Sequence, residues 1–142
     1  FSITLAATRP ESSPGMLSED DRAMMAHISS IYSRLMRVGC TGCSYCMPCP
    51  FGVDIPYAFS ALNTLHLFDD RHVRYQYSLH SSGLSGGRSS AASNCTECGV
   101  CEKKCPQAIE IRKMLKVVDA ELTMKALKPL LGLMRLVRKI RG

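Results

Sequence analysis

Every cysteine in this chain belongs to one of two short runs: Cys40, Cys43, Cys46 and Cys49 ahead of Pro50, and Cys95, Cys98, Cys101 and Cys105 ahead of Pro106. Two residues between successive cysteines carry three thiolates around a compact loop toward one centre. A cubane cluster with an iron at each corner needs that arrangement, and its fourth corner needs a thiolate from elsewhere. Other uses of these thiols fit the spacing less well. Tetrahedral zinc takes paired CxxC knuckles set well apart, whereas three or four consecutive cysteines crowd a single ion. A disulfide scaffold suits a small secreted domain, but neighbours three apart on a tight loop make poor partners, and nothing ahead of them reads as a signal peptide. Thioredoxin-like chemistry calls for one CxxC beside a βαβ pattern, and no such pattern is visible. The runs therefore predict two iron-sulfur cradles.

In bacterial-type ferredoxins the cysteine that precedes the proline ligates the cluster of the other run. That rule assigns Cys40, Cys43, Cys46 and Cys105 to one [4Fe-4S] cluster, and Cys95, Cys98, Cys101 and Cys49 to a second. Pro50 and Pro106 cut off each loop and redirect the chain, so that the preceding sulfur can reach across. Because ligating thiolates repel one another without iron, the loops are expected to order only as the metal binds.

The first run reads Cys-Thr-Gly-Cys-Ser-Tyr-Cys-Met-Pro-Cys-Pro-Phe-Gly-Val-Asp-Ile-Pro over 40–56, and the second Cys-Thr-Glu-Cys-Gly-Val-Cys-Glu-Lys-Lys-Cys-Pro-Gln-Ala-Ile-Glu-Ile over 95–111. Together they resemble the C-terminal dicluster domain of iron-sulfur aldo/keto reductases. The likeness rests on the two-residue gap Met47-Pro48, where ordinary ferredoxins have three residues. It extends upstream through Ser-Pro-Gly-Met-Leu-Ser-Glu-Asp-Asp at 13–21, similar to the segment linking reductase barrel to cluster domain in that family. The resemblance implies an all-α fold, an α-helical ferredoxin with two cysteine-rich cluster loops and helices inserted between them. It also implies a partner, a (β/α) barrel acting on a carbonyl or alcohol with a nicotinamide cofactor, and a one-electron carrier such as ferredoxin or flavodoxin. Such a barrel takes about 250 residues, and none of its catalytic residues can be matched in these 142. No catalytic residue is assigned. A chain opening at Phe1 reads as a piece of a longer polypeptide or a trimmed product.

Helical signals surround the cysteine runs. Residues 1–17, with prolines, serines and no sustained period, read as a linker or extended arm. Ser18 and Asp21 have capping-box spacing, with acids at 19–21 suited to the positive end of a helix. Met25, Ile28, Ile31, Tyr32 and Leu35 then recur at helical spacing, and Gly39 is a fitting stop. Asp54 predicts an N-cap with Pro56 in the first turn, for a helix bearing Phe59, Leu62, Leu65 and His66 and ending near Asp69-Asp70. A short helix follows over 71–79. Residues 81–93, rich in serine, glycine and alanine, read as a flexible connection. The 45 residues from Pro50 to Asn94 are too many for a compact ferredoxin hairpin. Past the second run, Met114, Leu115, Val118 and Leu122 mark a helical face over 111–124, so the dicluster domain is expected to span 18–124.

Charge is uneven. Residues 1–106 hold nine basic and nine acidic side chains, so the net +6 lies wholly in 107–142. From Lys125 onward there is no acid, and Leu127, Leu130, Leu131, Met134 and Val137 form an apolar stripe beside Lys128, Arg135, Arg138 and Lys139. Residues 125–142 therefore read as a basic amphipathic helix. Packing on its own domain is favoured over an anionic membrane surface or an acidic partner, and nucleic acid is disfavoured because aromatic residues do not interleave with the basic ones. No apolar run reaches the roughly 18 residues that span a bilayer, and free thiols point to a reducing, cytoplasmic setting. His27, His66, His72 and His80 lie outside the runs and read as packing or surface residues. Tyr45, between two ligands, is a candidate to shield a cluster or fill space, and Met24, Met25, Met36 and Met114 to fill core gaps. Three uses remain at this point: a relay serving a reductase barrel, a stand-alone iron-sulfur subunit serving a separate enzyme, and clusters kept as structural staples or sensors.

Overall fold

The computed structural model describes residues 17–83 and 88–124, together with Pro129 and Leu133. The predicted arm up to residue 16, and the predicted basic C-terminal helix apart from those two positions, lie outside the described residues. Among the described residues five α-helices are delimited, α1 Glu19–Leu35, α2 Ile55–Phe68, α3 His72–Ser81, α4 Val100–Lys104 and α5 Ile111–Leu122, with a 3-10 turn at Ala92–Asn94. No strand occurs among the described residues, so the expected all-α class holds. The chain divides into two units, residues 1–34 and 35–142.

In the first unit α1 starts as its sequence requires. The Ser18 hydroxyl accepts from the Asp21 amide at 3.1 Å, and the Asp21 carboxylate accepts from the Ser18 amide at 3.0 Å and its hydroxyl at 2.7 Å. This reciprocal capping box satisfies orphan donors at the helix start, and it holds the Asp21 carboxyl below its ordinary value, chiefly through the Ser18 side chain. A helix taken alone cannot bury a face. α1 buries none of its side chains, and Met24 and Met25 stand 61% exposed instead of filling a core.

The second unit holds the core. α2 begins where Asp54 accepts from the Tyr57 amide at 3.2 Å, with Pro56 in the first turn where its missing N–H costs nothing. It buries Phe59, Leu62 and Leu65 as expected and stops at Asp69, whose left-handed backbone (φ 47°) suits an aspartate. α5 presents Ile111, Leu115, Val118 and Leu122 as one buried stripe against α2 and α3; Met114 is half-buried against the same core. It ends at Leu122, two residues before the predicted Met124.

Two expectations need correction. α1 ends at Leu35, not at Gly39, because the amides of Arg37 and Val38 donate to Asn63 Oδ1 on α2, each at 3.0 Å, in place of helix carbonyls. In the connection over 81–93, the described residues 81–83 and 88–93 are also more constrained than their composition implies. Ser81 closes α3, and its carbonyl accepts from the Ser90 amide and the Ser89 hydroxyl, both at 3.0 Å. Asp54 in turn donates its amide to the Ser90 carbonyl at 3.1 Å. Residues 88–94 are thereby tied to the start of α2 and the end of α3. At the foot of this tie Tyr77 is buried, and its hydroxyl accepts from the Ala92 amide at 2.9 Å. Burial pushes the Tyr77 phenol up to about 12.

Candidate iron-sulfur centres

Each cysteine run is a loop feeding a helix. The first leads through the Pro50 turn into α2 and the second through the Pro106 turn into α5. In the first loop Gly42 (φ 70°) and Ser44 (φ 62°) flank Cys43 in left-handed backbone, and in the second Glu97 (φ 59°) and Gly99 (φ 74°) flank Cys98 in the same way. Alternating hand along successive residues builds a nest of backbone N–H groups that favours anions, iron-sulfur clusters among them. One such bond is visible directly: the Glu97 amide donates to Cys95 Sγ at 3.4 Å.

The match continues past the prolines. Gly52 and Ala108, each three residues after the last cysteine of its run, are again left-handed (φ 76° and 50°), and their amides donate back to the carbonyls of Cys49 and Cys105 at 3.0 and 3.2 Å. Asp54 and Glu110 then occupy the N-cap positions of α2 and α5, followed by Ile55 and Ile111, each 1% exposed. The two cradles are thus two copies of one unit: loop, Cys-Pro turn, acidic residue at the N-cap position, buried isoleucine, helix. Sequence reading missed this repeat, although Cys-Thr-x-Cys-x-x-Cys, Cys-Pro and the Asp-Ile/Glu-Ile pairs spell it out. A one-residue difference hides it, since the last gap is Met47-Pro48, joined by a cis peptide, in one copy and Glu102-Lys103-Lys104, part of α4, in the other.

Different forces hold the two copies. Asn63, buried on α2, takes the Arg37 and Val38 amides and donates Nδ2 to the Val38 carbonyl at 2.8 Å, fixing the chain two residues before Cys40. The second loop is held from α5. Glu102 accepts from the Arg112 amide at 2.9 Å and pairs with its guanidinium at 2.8 Å, and Glu97 pairs with Lys116 at 2.9 Å. Hydrogen bonding by the Arg112 side chain keeps the Glu102 carboxyl below its ordinary range. α5 has no side-chain cap of its own, so Glu102 supplies one from the neighbouring loop. Neither anchor was read from the sequence.

Cys40, Cys43, Cys46 and Cys105 line one cavity, closed by Ile55, Phe59, Ile109 and Ile111. Of the other four, Cys101 is buried at 9% exposure, Cys95 and Cys49 are half-buried against the core, and Cys98 is exposed. Burial pushes the Cys46 and Cys101 thiols up; Cys46 is raised further by its proximity to Cys40, Cys101 and Cys105, and Cys101 by proximity to Glu102 and Cys95. Among the described residues no three Cys, His, Asp or Glu side chains converge on a point fit for a single ion. A cage cluster asks instead for thiols spread around a volume. Tyr45 is 66% exposed, at the rim and not filling the interior. The histidines stay apart from the cysteines, as expected: His66 pairs with Glu121 at 2.6 Å, and His80 packs against Tyr57 with the rings tilted by 41° and their centroids 4.1 Å apart.

No described helix is long and apolar enough to cross a membrane. No curated protein and no solved structure matches the chain. The family profile of the 4Fe-4S dicluster domain does match, over residues 39–110, from the residue before the first cysteine to the cap of α5. With eight cysteines in two copies of one cradle, and an iron-sulfur family spanning both copies across half of the sequence, the chain belongs to the 4Fe-4S dicluster domain family and is an electron-transfer module for two [4Fe-4S] clusters.

Proposed function

We propose that the chain relays single electrons between a carrier protein and an aldo/keto reductase-like barrel, with its clusters held crosswise. Cys40, Cys43, Cys46 and Cys105 hold one; Cys95, Cys98, Cys101 and Cys49 hold the other. The observation that carries the ligand exchange is the cavity shared by the first trio and Cys105. The repeat extends it to the second site, because Cys49 stands in its copy where Cys105 stands in its own. When bound, each cluster supplies a one-electron couple with little change of geometry, tuned by N–H bonds to sulfur, burial and nearby charge. The chain's residues set those conditions. The left-handed turns gather backbone N–H groups at the thiolates, and Ile55, Phe59, Ile109 and Ile111 keep water from the first cavity.

Ligand deletion tests the exchange. With Cys40, Cys43 and Cys46 all changed to Ser, anaerobically prepared protein should retain one cluster, about four irons per chain against about eight in the parent. Adding Cys105→Ser should leave that cluster in place, and adding Cys49→Ser should abolish it. The reverse pattern sinks the crossed assignment. The reductase partner is favoured by the Met47-Pro48 gap and the 13–21 segment. It predicts that a reduced carrier drives carbonyl reduction by such a barrel only when this chain is present and loaded. Equal turnover without the chain refutes that part.

A further inference from the structure

The two cradles share a backbone and differ in what they show to solvent. The rim of the first, residues 39–54, has a single charged side chain, Asp54, and no basic one, and Tyr45 and Phe51 stand out of it 66% and 45% exposed. The rim of the second is crowded with charge: Glu97, Glu102, Lys103, Lys104 and Glu110, faced by Arg112, Lys113 and Lys116 of α5. Each acid there is engaged within the molecule. Glu97 pairs with Lys116 at 2.9 Å, Glu102 with Arg112 at 2.8 Å and Glu110 with Lys113 at 2.9 Å. Lys103 and Lys104 are both exposed, and neither has a carboxylate partner among the described residues. They sit between Cys101 and Cys105, in the one gap where the copies differ in length. The residue by which the second copy exceeds the first thus falls in a stretch that carries its uncompensated positive charge.

We propose that Lys103 and Lys104 form the docking surface for an acidic one-electron carrier protein. The inference rests on the electron-transfer reading above and adds the place and chemistry of the encounter. A carrier must meet the chain close to a cluster, dwell briefly and leave. Unpaired surface charge does this well, because it speeds encounter and fixes orientation without building a long-lived interface. In the exchange the carrier loses one electron and this chain gains it; no bond is made or broken and no proton moves. The rim of the first cradle, with no basic side chain, offers no such steering to an acidic partner.

The test uses holoprotein with an acidic flavodoxin under anaerobic conditions. Binding is measured calorimetrically across a salt series, and iron content and reduction by a neutral small-molecule mediator are followed in parallel. The double variant Lys103→Glu/Lys104→Glu should weaken flavodoxin binding about 10- to 100-fold at low ionic strength and flatten its salt dependence. Its iron content and its reduction by the mediator should not change. Lys103→Arg/Lys104→Arg should retain binding. If the charge reversal costs iron, the neutral pair Lys103→Gln/Lys104→Gln gives the same readout with a smaller change. Unaltered flavodoxin affinity and salt slope in a fully loaded variant overturn the docking surface. So does a shift in reduction potential without a change in binding, which would leave the lysines only balancing thiolate charge. Failure of the parent holoprotein to accept electrons from the mediator would overturn the electron-transfer reading itself, a result distinct from the other two.

Discussion

Asn63→Leu removes the buried side chain that anchors the backbone approach to the first cradle, and its cost can be worked from the bonds it breaks. Asn63 is 9% exposed and serves three backbone groups: the Arg37 amide, the Val38 amide and the Val38 carbonyl. Val38 is 3% exposed, so water cannot replace its two bonds. Leaving a buried backbone group unpaired costs about 1–3 kcal/mol, and the Arg37 amide, nearer solvent, adds less. The total is about 4 kcal/mol, a large share of the roughly 5–15 kcal/mol that holds a domain of this size. At about 4–8 °C per kcal/mol for a small domain, the apparent melting temperature at fixed scan rate should fall by at least about 10 °C. The Val38 amide should lose its protection from hydrogen exchange. Ser60→Ala, an exposed position on the same helix, should leave both readouts at parent values. An Asn63→Leu protein that melts within about 2 °C of the parent, with the Val38 amide still protected, would refute the anchoring argument.

Other outcomes follow from the same structure. In an alkaline titration followed at the phenolate band, the last tyrosine phase should have its midpoint at about 12 and vanish in Tyr77→Phe. Because burial raises the Tyr77 phenol in the folded state, its contribution to stability is present below pH of about 10 and is lost as pH rises through the folded value, a fall of about 2–3 kcal/mol that Tyr77→Phe should not show. Glu102→Ala removes the acceptor for the Arg112 amide as well as its ion pair. It should destabilise the holoprotein by about 1 kcal/mol in thermal unfolding. Glu102→Gln keeps an acceptor for that amide and should recover about half of the loss.

What the sequence revealed about this molecule is what local chemistry determines. The Asp54 cap with Pro56 behind it and the apolar stripe of α5 each depend on residues a few positions apart, and each stands where it was expected. Asn63 shows why the rest was hidden. A single asparagine on an apolar helix reads as a flaw in the pattern until its partners, 25 and 26 residues upstream, are known. The end of α1 was misjudged for the same reason, since a distant side chain outbids the helix for the Arg37 and Val38 amides. Residues 88–94 have the composition of a flexible connection but are fixed through backbone groups, which composition does not register. The repeat was legible in principle. The eye follows cysteine gaps, and the one unequal gap conceals the pairing of Asp54-Ile55 with Glu110-Ile111.

The copies also differ in how they should respond to salt. The first is anchored mainly by neutral, buried hydrogen bonds from Asn63, which dissolved ions neither reach nor screen, beside one longer ion pair, Arg37–Glu121 at 3.6 Å. The second is anchored by Glu102–Arg112 and Glu97–Lys116, whose side chains are 22% to 65% exposed. Raising ionic strength from about 0.1 M to 1 M shortens the screening length from about 10 Å to 3 Å, close to the separation within these pairs, and an exposed pair is worth about 0–1 kcal/mol to begin with. Losing most of that across two pairs corresponds to about a five-fold change in an equilibrium constant. In a chelator assay of iron release, the phase belonging to Cys95, Cys98 and Cys101 should therefore quicken with salt by a few-fold, while the phase belonging to Cys40, Cys43 and Cys46 keeps its rate. The ligand-deletion variants identify which phase is which. Equal acceleration of both phases would mean that the ion pairs of α5 do not hold the second loop in place, and that its shape is set by the left-handed turns at Glu97 and Gly99 alone.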